Sequence, residues 1–340
     1  MTRIRTTAVG SWPIPFGQRL TLKQFYAGDL DESRAFDALT RAARVAMDEQ
    51  LACGLDQISG GEVFAPDFLH HIPPRLHGLG ALALRDTAQG YDGVGRYTVE
   101  GPLTAPRGTG HASAYRRERA LEPTLDKATV PSPFTITMAF DGTVDRALHR
   151  EALTAIVAAE VEDMVIAGAE EVQLDAPVEA IEAIRTASGT GQYSVAELAE
   201  WVSGPLESVP PEIRRSVHFC LGDISRQPAT EVQNLAALLP LIQALDGKVD
   251  RLLVECSYVG QWRDRALLTE IPHTMEIVAG IADVKSRPES VEALRGRVGV
   301  LADLLGPQRL LLSTSCGCGR MPHDDAIRLN RNLVKAAGGE

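Results

Sequence analysis

The chain contains no apolar run approaching the ~18 residues needed to cross a bilayer, which excludes a membrane-spanning helix. Its opening residues, Met1-Thr2-Arg3-Ile4-Arg5 leading into Gly10-Ser11-Trp12-Pro13, lack the apolar core of a secretory leader, so a cytoplasmic protein is expected. Positive charge is in short supply: 34 Lys and Arg stand against 45 Asp and Glu, a net charge of −11 with a pI near 5.3. That balance argues against nucleic acid and anionic membrane surfaces as partners and leaves a neutral or cationic small molecule open. Five cysteines, an odd number, do not form a disulfide framework and point instead to metal-binding or reactive thiols. There is no Walker loop, dinucleotide fingerprint, Ser-His-Asp signature, internal repeat or low-complexity tract.

What is present is a chain of 340 residues, 44% hydrophobic, large enough to bury a substantial core. Short apolar runs ending in Gly or a polar residue recur, and most are followed by a helical stretch. The runs fall at residues 6–11, 55–62, 133–138, 171–175, 216–220, 249–255, 276–283 and 309–316. Between the first two, Phe36, Leu39, Ala43 and Met47 follow a 3.6-residue period that Gly54 stops. A further helix is expected over most of 145–167, closed by Gly168. Eight strand-like runs, most alternating with helices, predict an α/β protein of the (β/α)₈ barrel class. One domain over 1–340 is expected, with an irregular, Gly-, Pro- and Arg-rich excursion at about 72–130 that contains a hairpin around Arg96-Tyr97-Thr98-Val99.

The chemistry gathers at the C-terminal ends of these runs, where barrel enzymes build their sites. Ser11, Glu62, Asp175, His218, Cys220, Glu255, Asp283 and Cys316 all obey that rule. His218 and Cys220 stand at i and i+2 on one strand, so one strand end can present both to a single ion. Glu255 and Cys316 end neighbouring runs, and the mixed N, S and O set suits Zn²⁺. Singly, such residues are commonly buried small hydrophobes or a satisfied core imidazole; together they favour a metal. Cys318 stands at i+2 from Cys316 and either thiol could serve, whereas Cys256 should face the core and Cys53 end a helix. Glu62 alone could be a solvated loop carboxylate, and Asp175 before Ala176-Pro177 could cap a helix. Lys285 is either a surface lysine or, beside a metal and a substrate, a proton donor or anion contact. His70 and His71, after Asp67-Phe68-Leu69, resemble metal ligands but lie on a helix-like stretch that suits surface or packing roles.

These residues also carry a family resemblance. Val9-Gly10-Ser11-Trp12-Pro13, Gly61-Glu62 with Asp67, Gln173-Leu174-Asp175-Ala176-Pro177, His218-Phe219-Cys220, Glu255 and Cys316-Gly317 together resemble motifs of the catalytic, C-terminal half of cobalamin-independent methionine synthase. The resemblance implies a (β/α)₈ barrel and Zn²⁺ held by His218, Cys220, Glu255 and Cys316. It further implies a zinc-bound thiol such as homocysteine, and alkyl transfer to its sulfur. Glu62 and Asp175 would hold the acceptor's ammonium group, aided by backbone near Ser11. Three departures stand out. The family's Asp-Glu-Pro is Asp175-Ala176-Pro177 here, and its Asp-x-His-Ser, whose His is a proposed proton donor, is Asp283-Val284-Lys285-Ser286. Its folate-serving Leu-Thr-Gly-Pro turn is replaced by Thr137-Met138-Ala139-Phe140-Asp141-Gly142.

The expected activity is therefore zinc-dependent S-methyl transfer to a homocysteine-like thiol, with Asp175 and Lys285 in catalytic roles. The expected donor is not methyltetrahydrofolate; methylcobalamin or a corrinoid protein would fit. One rival keeps zinc and thiol but changes the electrophile, as in epoxyalkane:coenzyme M transferases; the pair Glu62 and Asp175 disfavours it, because that acceptor's sulfonate calls for a cation. The other is a non-catalytic subunit that binds a methyl carrier, with zinc merely structural.

Overall fold

A computed structural model describes residues 3–26, 29, 31–65, 71–84, 95–223, 227–228, 235–257 and 259–339. Asp67 and His70 lie outside the described residues. The core is a parallel sheet of six strands in sequential order: β3 (Lys127–Pro131), β4 (Glu171–Asp175), β5 (Arg214–Phe219), β6 (Arg251–Glu255), β7 (Glu276–Ala282) and β8 (Leu310–Thr314). β4, β6 and β8 are buried along their whole length, because helices cover their outer faces and side chains fill the inner one. The fold is the (β/α)₈ class. The two N-terminal runs continue the sheet beyond β8: Thr6 bridges Leu312 and Thr7 bridges Gln57, both in the parallel sense. Side chains span the remaining gap, where Gln57 donates to Asp126 at 3.2 Å and to Glu171 at 3.0 Å. Arg251, 2% exposed, ties the same end together by pairing with Glu171 at 2.5 Å and Glu276 at 2.8 Å.

The third run is corrected. Residues 133–138 are not a strand: Ser132 accepts from Thr135 N at 3.2 Å, Pro133 takes the first helical turn, and a helix over Pro133–Ile136 passes into a 3₁₀ turn over Thr137–Ala139. An N-cap hydroxyl followed by Pro outweighs the β-branched character of Thr135, Ile136 and Thr137. The strand is Lys127–Pro131, so the excursion ends before it. Lys127 is tolerated inside the barrel because its ammonium donates to Thr7 Oγ1 at 3.2 Å and to the Ala8 carbonyl.

Within the excursion, β1 (His77–Leu84) and β2 (Gly95–Thr104) pair antiparallel, and a helix follows over His111–Leu121. The Glu160 carboxylate, from the helix Arg150–Ile166, accepts at 2.7 Å each from Ala112 N, in the first turn of the excursion helix, and from Thr109 N in the loop that leads into it. The helix Glu32–Cys53 is capped by Asp31, yet its buried face is mostly alanine: Ala35, Ala38, Ala42, Ala43 and Ala46, with Met47. Phe36, though it falls on the apolar period of this helix, faces outward against Phe64, under the Arg117 guanidinium.

Candidate metal and substrate site

Strand register assembles the site. β4 and β5 pair with Asp175 opposite His218, and β5 and β6 pair with Phe219 opposite Val254, so the next residues, Cys220 and Glu255, end neighbouring strands. Cys316 arrives two residues beyond β8. The ligand atoms of His218, Cys220 and Cys316 all lie within 4.8 Å of one another. Their sulfurs are 3.6 Å apart and share a hydrogen bond. That bond pulls the Cys316 thiol down to about 7 against the opposing effect of burial, with help from the neighbouring His218 and Lys285. The same bond, together with burial, pushes Cys220 well up. Cys316 is half-buried where Cys220 is buried, so the group opens at Cys316.

His218 is fixed from behind. Its Nδ1 lies 3.2 Å from Asp175 Oδ1, which also accepts from Gln173 Nε2 at 2.8 Å. Among the described residues, His218 Nε2 is buried and has no hydrogen-bond partner. An imidazole held by a carboxylate at one nitrogen, with the other orphaned beside two thiols, fits a zinc ligand set. The chemistry of the donors and the orphaned nitrogen agree on that fit.

Glu255 and Lys285 form a wholly buried ion pair: Lys285 Nζ is 2.7 Å from Glu255 Oε1, both side chains at 0% exposure. Leu221 N donates to the other oxygen, Oε2, at 2.9 Å. The structure thus brings Glu255 to the strand end beside Cys220 but engages both of its oxygens. Burial disfavours the Lys285 charge, yet Glu255 and the two thiols outweigh it, so the ammonium is held well above its ordinary range.

Glu62 sits on a strained turn. Gly61 has φ 77° and Glu62 itself has φ 55°, the left-handed region that costs an ordinary residue about 1–2 kcal/mol. The turn drives the carboxylate toward Gly10, where an added Cβ would overlap it, and toward Thr129 Oγ1 at 3.4 Å. Burial, then the nearby Asp175, Cys316 and Glu118, push its pKa up. Ser11 accepts from Gly319 N at 3.3 Å through its hydroxyl and from Cys318 N at 2.7 Å through its carbonyl, which places it against the Cys316–Gly319 loop.

Cys318 is elsewhere. Its sulfur, 3.5 Å from Asn330 Nδ2 and 3.9 Å from Thr314 Oγ1, packs under the loop, and burial pushes its pKa to about 11. Cys256 is buried and pushed up to about 12 by burial, and Cys53 is buried with its sulfur 3.6 Å from the Ile327 carbonyl. His71 packs edge-on against His111, its centroid 5.3 Å away. Two residues went unread in the sequence: Gln173, which holds Asp175, and Glu118, whose carboxylate lies against Gly60. Gln173 shares its strand face with Asp175 at i and i+2, a spacing that could have flagged it. Glu118 carried no such signal.

The fold and this site define a parallel α/β barrel with two thiols and an imidazole, side chains of metal-ligand chemistry, gathered at the C-terminal ends of its strands. The chain belongs to the cobalamin-independent synthase catalytic-domain family, whose model matches residues 4–339. It is 26% identical to a methionine synthase of Methanothermobacter thermautotrophicus over 98% of this chain and 99% of that protein. Against a methionine synthase of Sulfolobus acidocaldarius the identity is 22%, over 98% and 91% of the two chains. A solved B12-independent methionine synthase from Shewanella sp. W3-18-1, in complex with selenomethionine, superposes with a TM-score of 0.79 at 18% identity, covering 99% of this chain and 97% of that one.

Proposed function

We propose that this chain is a zinc-dependent S-methyltransferase that methylates the sulfur of homocysteine to give methionine, using a donor other than methyltetrahydrofolate. The observation that carries the reading is the group of His218, Cys220 and Cys316, ligand atoms within 4.8 Å, with His218 Nε2 buried and unpartnered among the described residues. These three would hold the zinc, and Glu255 beside them would become the fourth donor by turning one oxygen from its present partner, Lys285 or Leu221 N, toward the ion. When bound, zinc lowers the acceptor thiol's pKa and presents it as a thiolate.

The chain's own residues do the rest. Asp175 fixes the His218 ring so that Nε2 faces the two sulfurs. Lys285 is a stationary cation: it balances Glu255 and, near both thiols, stabilises the build-up of negative sulfur. An ammonium held so firmly charged is a poor proton donor, so Lys285 does not replace the imidazolium that the family carries at this position. Glu62 and the second oxygen of Asp175 hold the acceptor's ammonium, and the Ser11 loop flanks it. During transfer the thiol's proton passes to solvent, a bond forms from sulfur to the methyl carbon, and the donor's bond to that carbon breaks with its electron pair leaving on the donor. Holding both reactants in line supplies several kcal/mol of the barrier reduction.

Two observations support a donor other than the folate. Residues 137–139 form a 3₁₀ turn, and Asp141 N donates to the Tyr97 carbonyl of β2 at 2.8 Å, so the hairpin is pinned onto the segment that replaces the folate-serving turn. Lys285 is committed to Glu255. A donor whose leaving group needs little protonation, such as methylcobalamin, suits this arrangement; the comparisons lend no support to a corrinoid protein as a partner. The test is methionine formation by the zinc-loaded protein from homocysteine with methylcobalamin and, separately, methyltetrahydrofolate. Turnover with the first and little with the second is expected; efficient folate turnover overturns the donor assignment, and no methionine with any methyl donor overturns the activity.

A further inference from the structure

His218 stands on β5, Cys316 on the loop after β8, and Ser11 at the end of the first run, so three separate elements must hold the site in one shape. The Cys316–Gly319 loop docks on Ser11, whose carbonyl accepts from Cys318 N at 2.7 Å and whose hydroxyl accepts from Gly319 N at 3.3 Å. Earlier on the same run, the Val9 carbonyl accepts from Gln173 Nε2 at 3.0 Å, and that nitrogen also donates to Asp175 Oδ1 at 2.8 Å. Asp175 Oδ1 in turn meets His218 Nδ1 at 3.2 Å. A closed ring results, running from the Cys316 loop through Ser11, Val9, Gln173 and Asp175 to His218, and across the thiols back to Cys316. Among the described residues no other side chain hydrogen-bonds both the first run and Asp175. The Lys127 ammonium reaches the Val9 carbonyl at 3.4 Å but makes no hydrogen bond to Asp175, so it steadies the run without tying it to the imidazole.

Stability does not account for Gln173. It is 0% exposed, and among the described residues its Oε1 has no partner. A buried carbonyl left bare is a cost that an apolar side chain of similar volume avoids. The amide cannot turn round to relieve it, because its nitrogen faces a carbonyl and a carboxylate, groups that only accept. Its partners in register, Thr129 on β3 and Ser216 on β5, donate elsewhere, to Glu62 and Glu171.

We infer that Gln173 is a positioning residue, whose single nitrogen joins the imidazole side of the ligand group to the thiol side and sets their spacing before an ion binds. The inference rests on the proposed function for its metal. Ligands already held in place lose less freedom when they close on an ion, so the clip raises metal affinity and narrows the geometry.

The experiment compares the wild type with Gln173→Met, Gln173→Asn and Ser216→Ala. Met fills a similar space without a donor, and the acceptors it abandons keep the Lys127 ammonium and His218, so the barrel folds. Asn keeps the amide but is too short to span both acceptors. Ser216→Ala removes a neighbouring polar group outside the ring and is the packing control. Metal-free protein is titrated with zinc against a chromophoric chelator and, separately, loaded with cobalt(II), whose visible absorption reports ligand geometry. Gln173→Met should hold or exceed the wild-type denaturation midpoint, bind zinc about tenfold more weakly and shift the cobalt bands. Gln173→Asn should follow it, and Ser216→Ala should match the wild type in both metal readouts. Wild-type zinc affinity and cobalt absorption in Gln173→Met overturn the inference, as does a Ser216→Ala variant that loses as much. If the Met variant does not fold, the same two readouts on Gln173→Asn decide, and wild-type values there overturn it. Homocysteine is absent from both measurements, so a chain that behaves as expected but forms no methionine loses the proposed activity and keeps the positioning role. A wild type that binds neither metal overturns both.

Discussion

Asp175 Oδ1 stands 3.2 Å from His218 Nδ1, one strand over in register, so one sheet contact fixes which imidazole nitrogen faces the two thiols. Asp175→Asn keeps the shape but loses the charge that orients the ring. Its zinc affinity should fall about 10–100-fold, read by competition with a chromophoric chelator, while the denaturation midpoint of the protein changes little.

The two candidate thiols of the last loop separate cleanly. Cys316 joins the group at 3.6 Å from Cys220, whereas Cys318 packs on Asn330. Metal analysis of purified variants should find Cys220→Ser and Cys316→Ser strongly depleted in zinc and Cys318→Ser near one ion per chain. Loss of zinc from Cys318→Ser with retention in Cys316→Ser would place the ligand two residues further on.

Lys285 and Glu255 are both at 0% exposure, so removing one charge strands the other. Lys285→Met should lower unfolding free energy by roughly 3–5 kcal/mol in a denaturant titration. The double variant Lys285→Met, Glu255→Gln, with neither charge left, should recover most of that loss. An unchanged single variant contradicts the pairing.

Glu179 supplies a pH test away from the metal group. It is buried, its Oε2 accepts from Thr135 Oγ1 at 3.0 Å, and among the described residues its Oε1 has no partner; burial raises its pKa to about 7. The folded chain therefore holds this proton over a range where the unfolded chain, at about 4.3, has lost it. Stability is full below the unfolded value and falls as pH rises toward 7, by on the order of 3 kcal/mol. Glu179→Gln should be more stable than wild type at pH 8, and the gap should close by pH 4.5, read from denaturant midpoints at each pH.

How much of this the sequence carried depends on the range of the contacts. β6 and β8 were legible because parallel strands buried on both faces read as apolar runs that turn polar where the mouth begins, whereas β4 alternates, with Glu171, Gln173 and Asp175 on one face and Val172 and Leu174 on the other. His218 and Cys220 were legible through period two on one strand. β3 was not, because it opens on Lys127 and closes on Pro131, and what makes the lysine acceptable is a carbonyl 119 residues away in the chain. The Lys285–Glu255 pair joins a loop to a strand end 30 residues apart, a contact no local pattern reports. Glu118 lies in Arg116-Arg117-Glu118-Arg119, which reads as a solvated helix face; only the packing of the excursion turns it inward.

The central claim is that His218, Cys220 and Cys316 hold a zinc that takes the acceptor's sulfur. X-ray absorption at the zinc edge counts sulfur neighbours directly, before and after L-homocysteine is added. The account predicts two sulfurs in the resting protein, from Cys220 and Cys316, and three with the acceptor bound. A count that stays at two in the presence of saturating homocysteine contradicts it.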